Sequence, residues 1–305
     1  KENELFFAYS KYVAKFYEEM AKGTDPANPT DKTKEIQEKV NTYRDQFVAE
    51  NPNAFMTKML LVSKEPEIPA EIRSNDTLAF YYFRKHYFDN IDFSDGRLVK
   101  SPMFHNKVMN YLDKMISQDP DSILVGVRRV IALSEQSPVT YKYIVSQLAY
   151  KYESSKQMCM DKVFYDIVKN HYMTGRATWV DDVQMAKIVE RGKSLKPCRC
   201  GMTGNNLIME DPTGNMVALH DVKAEYTLVV FWASDCGHCK SMIPRLRYFY
   251  EDYKGSGVEV YAVNIEDESA GYLKFIEDKN LEFINVQDTT HSTYFRYYYN
   301  VMMTR

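Results

Sequence analysis

The sequence predicts an α+β protein of two domains, an all-α helical bundle or array over residues 1–190 followed by an α/β domain over residues 191–305. The 305 residues suffice for about two domains, at roughly 100–200 residues each. Apolar residues recur at helical spacing in the first part, whereas the second part contains the continuous apolar runs of buried strands. Four of the twelve glycines fall in the first part and eight in the second, and tight turns need glycine whereas helices avoid it.

The composition is that of a globular protein without a general affinity for nucleic acid or anionic lipid. The net charge is −3, charged residues make up 27% and hydrophobic residues 45%, so we expect neither disorder nor a nucleic-acid partner. The longest apolar run, at 227–233, is far shorter than the ~18 residues of a membrane span. The chain opens on Lys1 without an apolar signal core. We therefore expect that a signal has been removed or that the chain begins inside a longer protein.

Helix follows helix in the first part, because apolar side chains recur there three and four residues apart. Serine or aspartate followed by proline, at Ser101-Pro102, Asp119-Pro120 and Ser137-Pro138, is typical of a capped helix start. Roughly eight or nine helices on short connections predict an antiparallel bundle or a stacked array. The predicted helices cover about 5–20, 36–47, 52–65, 76–89, 102–117, 121–136, 138–154, 161–173 and 178–190.

Strands alternate with helices in the second part. A turn at 211–215 between two short apolar segments indicates a hairpin, and the later strands are continuous apolar runs covered on both faces. This order predicts a mixed sheet with right-handed crossovers. The predicted elements are, in order, strands 207–210, 216–219 and 227–233, helix 237–253, strand 258–265, helix 269–279 and strand 283–286.

The motif FWASDCGHCK at 231–240 lies where the first long strand becomes a helix. Cys236 is predicted at the helix N-terminus, where unpaired N–H groups and the helix dipole favour a thiolate, so its pKa is expected below the ordinary value of about 8.5. Cys239 lies on the same side of the helix and can attack a mixed disulfide at Cys236. His238 further favours the thiolate, and Gly237 is expected to keep the turn open. The pair therefore predicts a redox centre.

Two other interpretations of the cysteines are a zinc site and a c-type haem attachment. Zinc needs four ligands, and Cys198 and Cys200 would have to fold back onto the motif to supply two of them. A c-type haem attachment requires histidine at the position of Lys240, which excludes it. Cys198 and Cys200 are open to two roles, a second redox or disulfide element or accessory thiols near the domain join. Accessory thiols are favoured, because a disulfide between residues two apart is strained.

Residues 194–305 resemble thioredoxin-fold modules of the TlpA/ResA-like type, which are thiol–disulfide oxidoreductases of the bacterial envelope. The resemblance rests on the FWASDCGHC core, the hairpin with its turn at 211–215, Pro244 in the following helix, and the strand at 258–264. Residues 1–190 resemble, in general pattern only, an uncharacterised helical region that precedes such modules in bacterial envelope proteins. The resemblance implies a thioredoxin-like fold for the second domain.

The same resemblance implies roles for the motif. Cys236 would be the attacking thiol and Cys239 the resolving thiol, with Trp232 packed beside their disulfide. The other supporting residues are Asp235, Gly237 and His238. No organic cofactor and no metal is implied beyond the redox-active disulfide. The implied partners are proteins with disulfides or dithiols and an upstream thiol donor, and the implied location is the bacterial periplasm or cell envelope.

Three positions depart from the family pattern. Val230 stands where thioredoxins usually carry a buried acid, and Met242 where ResA-like proteins often carry glutamate, so proton transfer at Cys239 is left to water or to Glu266. Arg305 stands where a cis-proline is expected, which predicts a C-terminally incomplete domain, truncated before that loop. The alternative function is that of a non-catalytic partner-binding or redox-sensing protein with a degenerate thioredoxin fold.

Overall fold

The computed structural model describes residues 2–21, 31–266 and 269–302. The chain forms two compact units that part between Trp179 and Val180, whereas the sequence predicted a join after residue 190. The prediction placed the join beside Gly192, but Gly192 is buried inside a helix of the second unit. No helix in the described ranges is long and apolar enough to cross a membrane.

The first unit is helical, as predicted. Two helices continue into a π turn, at Tyr111–Met115 and at Val168–Tyr172. The unit also contains a 3₁₀ turn at Gly96–Lys100. Its α-helices are α1 Glu2–Ala21, α2 Asp31–Glu50, α3 Phe55–Ser63, α4 Ala70–Arg73, α5 Asp76–His86, α6 Pro102–Asn110, α7 Pro120–Ser134, α8 Pro138–Glu153 and α9 Asp161–Ile167.

The three predicted serine or aspartate caps are present. Ser101, Asp119 and Ser137 accept hydrogen bonds from backbone N–H groups in the first turns of α6, α7 and α8, and proline occupies the first turn of each helix. Each cap satisfies one N–H that the helix leaves unpaired and stabilises it by about 1 kcal/mol. Short capped helices therefore begin where the sequence indicated.

The second unit is a five-stranded mixed sheet flanked by helices. Its elements are α10 Asp182–Leu195, β1 Ile208–Glu210, β2 Met216–Ala218, β3 Tyr226–Trp232, α11 Gly237–Tyr253, β4 Val258–Asn264, α12 Ser269–Lys279, β5 Ile284–Gln287 and α13 Phe295–Tyr298. The strand order is β2-β1-β5-β4-β3. β3, β4 and β5 are parallel, and β1 pairs antiparallel with β2 and β5. This is the predicted thioredoxin-like arrangement.

The interior strand β4 explains the continuous apolar run at 258–265. Val260 and Ala262 face the cluster packed under α11 and α12, whereas Tyr261 and Val263 face the cluster that contains Leu207 of the hairpin. All four β4 residues are 0% exposed. The middle of a strand covered on both faces is therefore a continuous apolar run.

β3 pairs with β4 alone among the described residues, in a register that joins Tyr226 to Val258 and Trp232 to Asn264. The predicted location of the cis-proline loop, marked by Arg305, lies outside the described residues.

Candidate active site

Cys236 occupies the N-cap of α11, directly after the short turn that follows β3. Its backbone is extended, with ψ of 119°, and its Sγ accepts a hydrogen bond from the backbone N–H of Cys239 at 3.4 Å. An N–H that points at sulfur at a helix N-terminus stabilises the thiolate over the thiol. The predicted placement of Cys236 at the leading end of a helix is confirmed.

Cys239 lies one turn further along α11 and is buried, with 8% of its surface exposed, whereas Cys236 is half-buried. Both residues are thiols rather than a disulfide in this structure. Burial raises the pKa of the Cys239 thiol, and the neighbouring Cys236 adds to the rise. The two sulfurs are therefore unequal, because the outer one is stabilised as an anion and the inner one as a neutral thiol.

Trp232, the last residue of β3, forms the floor of the motif. It is 1% exposed and its ring centroid lies 5.7 Å from that of Tyr272 and 5.2 Å from that of Phe275. Cys236 and Cys239 belong to the same apolar cluster as Trp232. The packing of Trp232 beside the two cysteines, which the resemblance implied, is present. Val230, at the position where a buried acid was expected, also packs against this cluster. This position therefore supplies no carboxylate beside the cysteines.

Glu266 anchors the turn that carries Cys236. One carboxylate oxygen accepts hydrogen bonds from the Ser234 backbone N–H and hydroxyl at 2.8 and 2.7 Å, and the other accepts from the Asp235 N–H at 3.0 Å. Burial alone would raise the pKa of Glu266, but the bonds from Ser234 and Asp235 together lower it. Glu266 is thus an ionised anchor at neutral pH. Its part in proton transfer at Cys239, which the sequence assigned to water or to Glu266, stays a prediction.

Polar residues at the ends of two neighbouring strands hold Glu266 in turn. The Gln287 side chain donates to the Glu266 carbonyl at 2.7 Å, and the Asn264 side chain contacts the Glu266 backbone at 3.4 Å. The carboxyl ends of parallel strands meet at one edge of a sheet. In the sequence, Asn264 and Gln287 are polar residues that end two apolar strands. This pattern is the signal from which the anchor could have been found.

Gly271 of α12 permits close packing on the same turn. A Cβ added at Gly271 would lie 2.8 Å from the Ser234 hydroxyl, which is too close for an unshifted contact. Gly237 differs, because a Cβ added there would meet no atom within 4 Å and its backbone does not have a positive φ. The expectation that Gly237 is needed to keep the turn open is therefore wrong, and the sterically constrained glycine is Gly271.

The remaining predicted site residues are Asp235, His238, Cys198 and Cys200. Asp235 and His238 are exposed on the turn and on the first turn of α11. Cys198 is a thiol whose sulfur donates to the Leu195 carbonyl at 3.6 Å. Cys200 is disulfide-bonded, which differs from the accessory thiol that we expected. The described residues contain no group of three or more histidine, cysteine or acidic side chains arranged to hold a metal ion.

The mixed sheet, with the paired cysteines at the start of α11, defines a thioredoxin-like domain. Residues 202–303 match the AhpC/TSA family. Residues 21–196 match the domain of unknown function DUF5106, and the chain belongs to that family.

Parts of this chain are similar to curated relatives and to solved structures. The chain is 30% identical over 89 residues to the thiol-disulfide oxidoreductase ResA of Bacillus subtilis (strain 168), which covers 29% of this chain and 50% of the relative. The chain thus spans about half the length of that relative. A thioredoxin-like protein from Bacteroides caccae has the same fold, with a TM-score of 0.58 at 16% identity over 78% of this chain and 86% of that one. A domain of a possible thiol-disulfide isomerase from Cytophaga hutchinsonii is 39% identical, covering 34% of this chain and 71% of its own, with a TM-score of 0.33.

Proposed function

We propose that this protein is a thiol–disulfide oxidoreductase that exchanges a dithiol for a disulfide with protein partners through Cys236 and Cys239. The observation that carries the proposal is the inequality of the two sulfurs. Cys236 accepts an N–H bond at the helix start and is the more exposed, while Cys239 is buried one turn behind it with a raised pKa. An accessible thiolate backed by a protonated thiol is what a nucleophile and its resolving partner require.

The reaction balances with the two cysteines alone. The Cys236 thiolate attacks one sulfur of a substrate disulfide, the substrate S–S bond breaks, and the displaced sulfur leaves as a thiolate that takes up a proton. Cys239 then loses its proton and attacks the Cys236 sulfur of the mixed disulfide, which releases the second substrate thiol. The substrate gains two electrons and the chain is left with a Cys236–Cys239 disulfide. A thiol donor restores the dithiol, and the reverse sequence oxidises a partner dithiol.

The surrounding residues position this chemistry. Glu266 fixes the turn before Cys236, and Trp232 closes the apolar side of the pair. Met242, at the position where a proton-carrying glutamate was expected, is 49% exposed. Water therefore reaches this part of the helix and is the proposed proton acceptor for Cys239.

Reduction of insulin disulfides by the full chain, with glutathione as the thiol donor, tests the proposal. We expect turnover by the wild type, loss of turnover in Cys236→Ser, and accumulation of a stable mixed disulfide in Cys239→Ser. Cys198→Ser is the matched control and should leave the rate unchanged. Turnover that survives Cys236→Ser contradicts the proposal.

The same experiment separates the non-catalytic alternative. A partner-binding or redox-sensing protein would interconvert its own dithiol and disulfide without multiple turnovers on insulin. Val230 and Met242, which replace the expected acids, are the residues that favour this alternative. A wild-type chain that forms the Cys236–Cys239 disulfide but shows no turnover would establish it.

We also propose that the protein works in the bacterial periplasm or cell envelope. Four of its five cysteines lie after residue 197, and a disulfide-forming module suits an oxidising compartment. Fractionation of cells that express the natural protein tests this, and recovery with cytosolic markers would contradict it.

A further inference from the structure

The helical unit contains a cavity that the proposed redox function does not use. Its volume is about 670 Å³, and it is bounded by the first half of α8, Val99 of the 3₁₀ turn, and the segment 176–179. Cavities of roughly 300–1,000 Å³ are the size of small-molecule sites. The cavity lies wholly within the first unit.

Most of the cavity wall is aromatic or aliphatic. Tyr141 and Trp179 pack edge to face with ring centroids 5.6 Å apart, and Val99, Pro138 and Val139 extend the apolar surface. Val139 is 53% exposed although it is apolar. A rigid wall of rings and branched side chains favours the apolar body of a ligand.

The tyrosine hydroxyls of the wall already have partners. The Tyr141 hydroxyl lies 2.7 Å from Nδ1 of the buried His171, and the Tyr143 hydroxyl lies 2.8 Å from Nδ1 of His105. Burial, and next the charge of Arg176, lower the pKa of His171, so the side chain behind Tyr141 is neutral at pH 7. The tyrosines therefore bring no charge of their own to the cavity.

The charged groups that line the cavity are cations. Arg176 places its guanidinium 4.9 Å from the Tyr141 ring centroid and donates to Glu135 at 2.7 Å. A guanidinium has five N–H donors, so one carboxylate does not exhaust it. Lys142 is the second cation of the lining. Glu135 neutralises only one of these two cations. The lining of the cavity therefore has a net positive charge, which favours an anionic ligand.

The Trp179 ring lies in the wall of the cavity, while its indole Nε1 is buried and has no hydrogen-bond partner in the structure. Because that nitrogen has no surface open to the cavity, Trp179 contributes apolar contact rather than a donor.

We propose that this cavity binds an apolar organic acid, whose hydrocarbon body packs on the wall formed by Tyr141, Trp179 and Val139. Its carboxylate pairs with the guanidinium of Arg176. Aliphatic and aromatic acids share this chemistry.

Titration of the ¹⁵N-labelled full chain with 4-phenylbutyrate and with decanoate tests the proposal. The protein has two tryptophans, and Trp232→Phe assigns their two indole cross-peaks. Since Trp179 lines the cavity, we expect at least one of the acids to shift the Trp179 indole peak and to saturate, while the Trp232 peak stays in place. The neutral 4-phenylbutanamide should bind at least about tenfold more weakly than 4-phenylbutyrate, because a hydrogen bond to a charged group is the stronger one.

Variants separate the contribution of the charged contact to ligand binding from that of the apolar wall. Arg176→Gln should abolish the preference for the acid over the amide, whereas Lys169→Gln, an exposed cation outside the lining, should preserve it. The proposal is overturned if neither acid moves the Trp179 peak, if both indole peaks move together, or if amide and acid bind the wild type equally. The wild-type titration decides the matter even if Arg176→Gln fails to fold.

Discussion

Each of the two units contains one tryptophan, and the two indole rings differ in their surroundings. Trp232 and Trp179 both bury an indole N–H without a hydrogen-bond partner. Trp232 is 1% exposed and enclosed by the rings of Tyr272 and Phe275, whereas Trp179 is half-buried and lines a cavity. The first N–H is therefore a tolerated cost of dense packing under the cysteines. The second belongs to a ring that lines a space which a ligand can fill.

Truncation of the two tryptophans tests this contrast most strongly. Trp232→Ala should lower the free energy of unfolding by about 3–5 kcal/mol, because a large enclosed side chain leaves a cavity. Trp179→Ala should cost about 1–2 kcal/mol, since part of its surface is already exposed. Urea denaturation followed by circular dichroism measures both. Equal losses would show that the two rings are packed alike and would break the comparison.

The close packing around Trp232 predicts a second asymmetry, between two glycines. Gly271→Ala should destabilise the protein by about 1–2 kcal/mol, because its Cβ would displace the Ser234 hydroxyl from its hydrogen bond to Glu266 and the helix preference of alanine offsets only part of that loss. Gly237→Ala is the matched control and should change stability by less than about 0.5 kcal/mol, since its Cβ meets open space. Urea midpoints of the two variants check this prediction. If Gly237→Ala lowered the stability more than Gly271→Ala, the tightly packed element would be the turn before α11 rather than α12.

The same packing should make the two active-site thiols react at different rates. In a Cys198→Ser background, Cys236 alone (Cys239→Ser) should react with iodoacetamide at pH 7 at least about tenfold faster than Cys239 alone (Cys236→Ser). Burial raises the pKa of Cys239, and each unit of pKa removes about nine-tenths of the thiolate. Mass spectrometry of the alkylated protein measures the rates. Equal rates would contradict the assignment of Cys236 as the nucleophile.

Glu266→Gln should have the smallest effect, a loss of about 1 kcal/mol at pH 7, because the anchor is partly exposed and its bonds are screened. The folded pKa of Glu266 is lowered. Its stabilisation is therefore complete above the unfolded pKa of about 4.3 and is lost as the pH falls through the lower folded value. The gap between wild type and variant should narrow from pH 6 to pH 3 in urea titrations. A gap that is constant with pH would exclude the carboxylate charge as its source.

The residues of the cysteine motif were easier to predict from the sequence than the residues that hold the motif in place. Strand, turn and helix around Cys236 are contiguous, so periodicity and capping fixed their order, and the caps of α6, α7 and α8 are local for the same reason. Glu266 and Gly271 act on Ser234 from more than thirty residues away. The cavity likewise joins Val99 to Trp179. Such contacts depend on tertiary packing, which a single sequence does not encode in its local pattern.

The hydroxyl of Tyr261 has a consequence for how the β1–β2 hairpin can move. β1 meets β5 in a single register pair, Glu210 with Gln287, whereas the Tyr261 hydroxyl reaches the carbonyls of Val217 at 2.9 Å and Leu207 at 3.2 Å. One phenolic oxygen thus links both arms of the hairpin to the interior strand β4. With so few links to the rest of the sheet, the hairpin is the part whose amide protons would exchange with deuterated solvent by local opening, while the parallel strands β3, β4 and β5 stay paired.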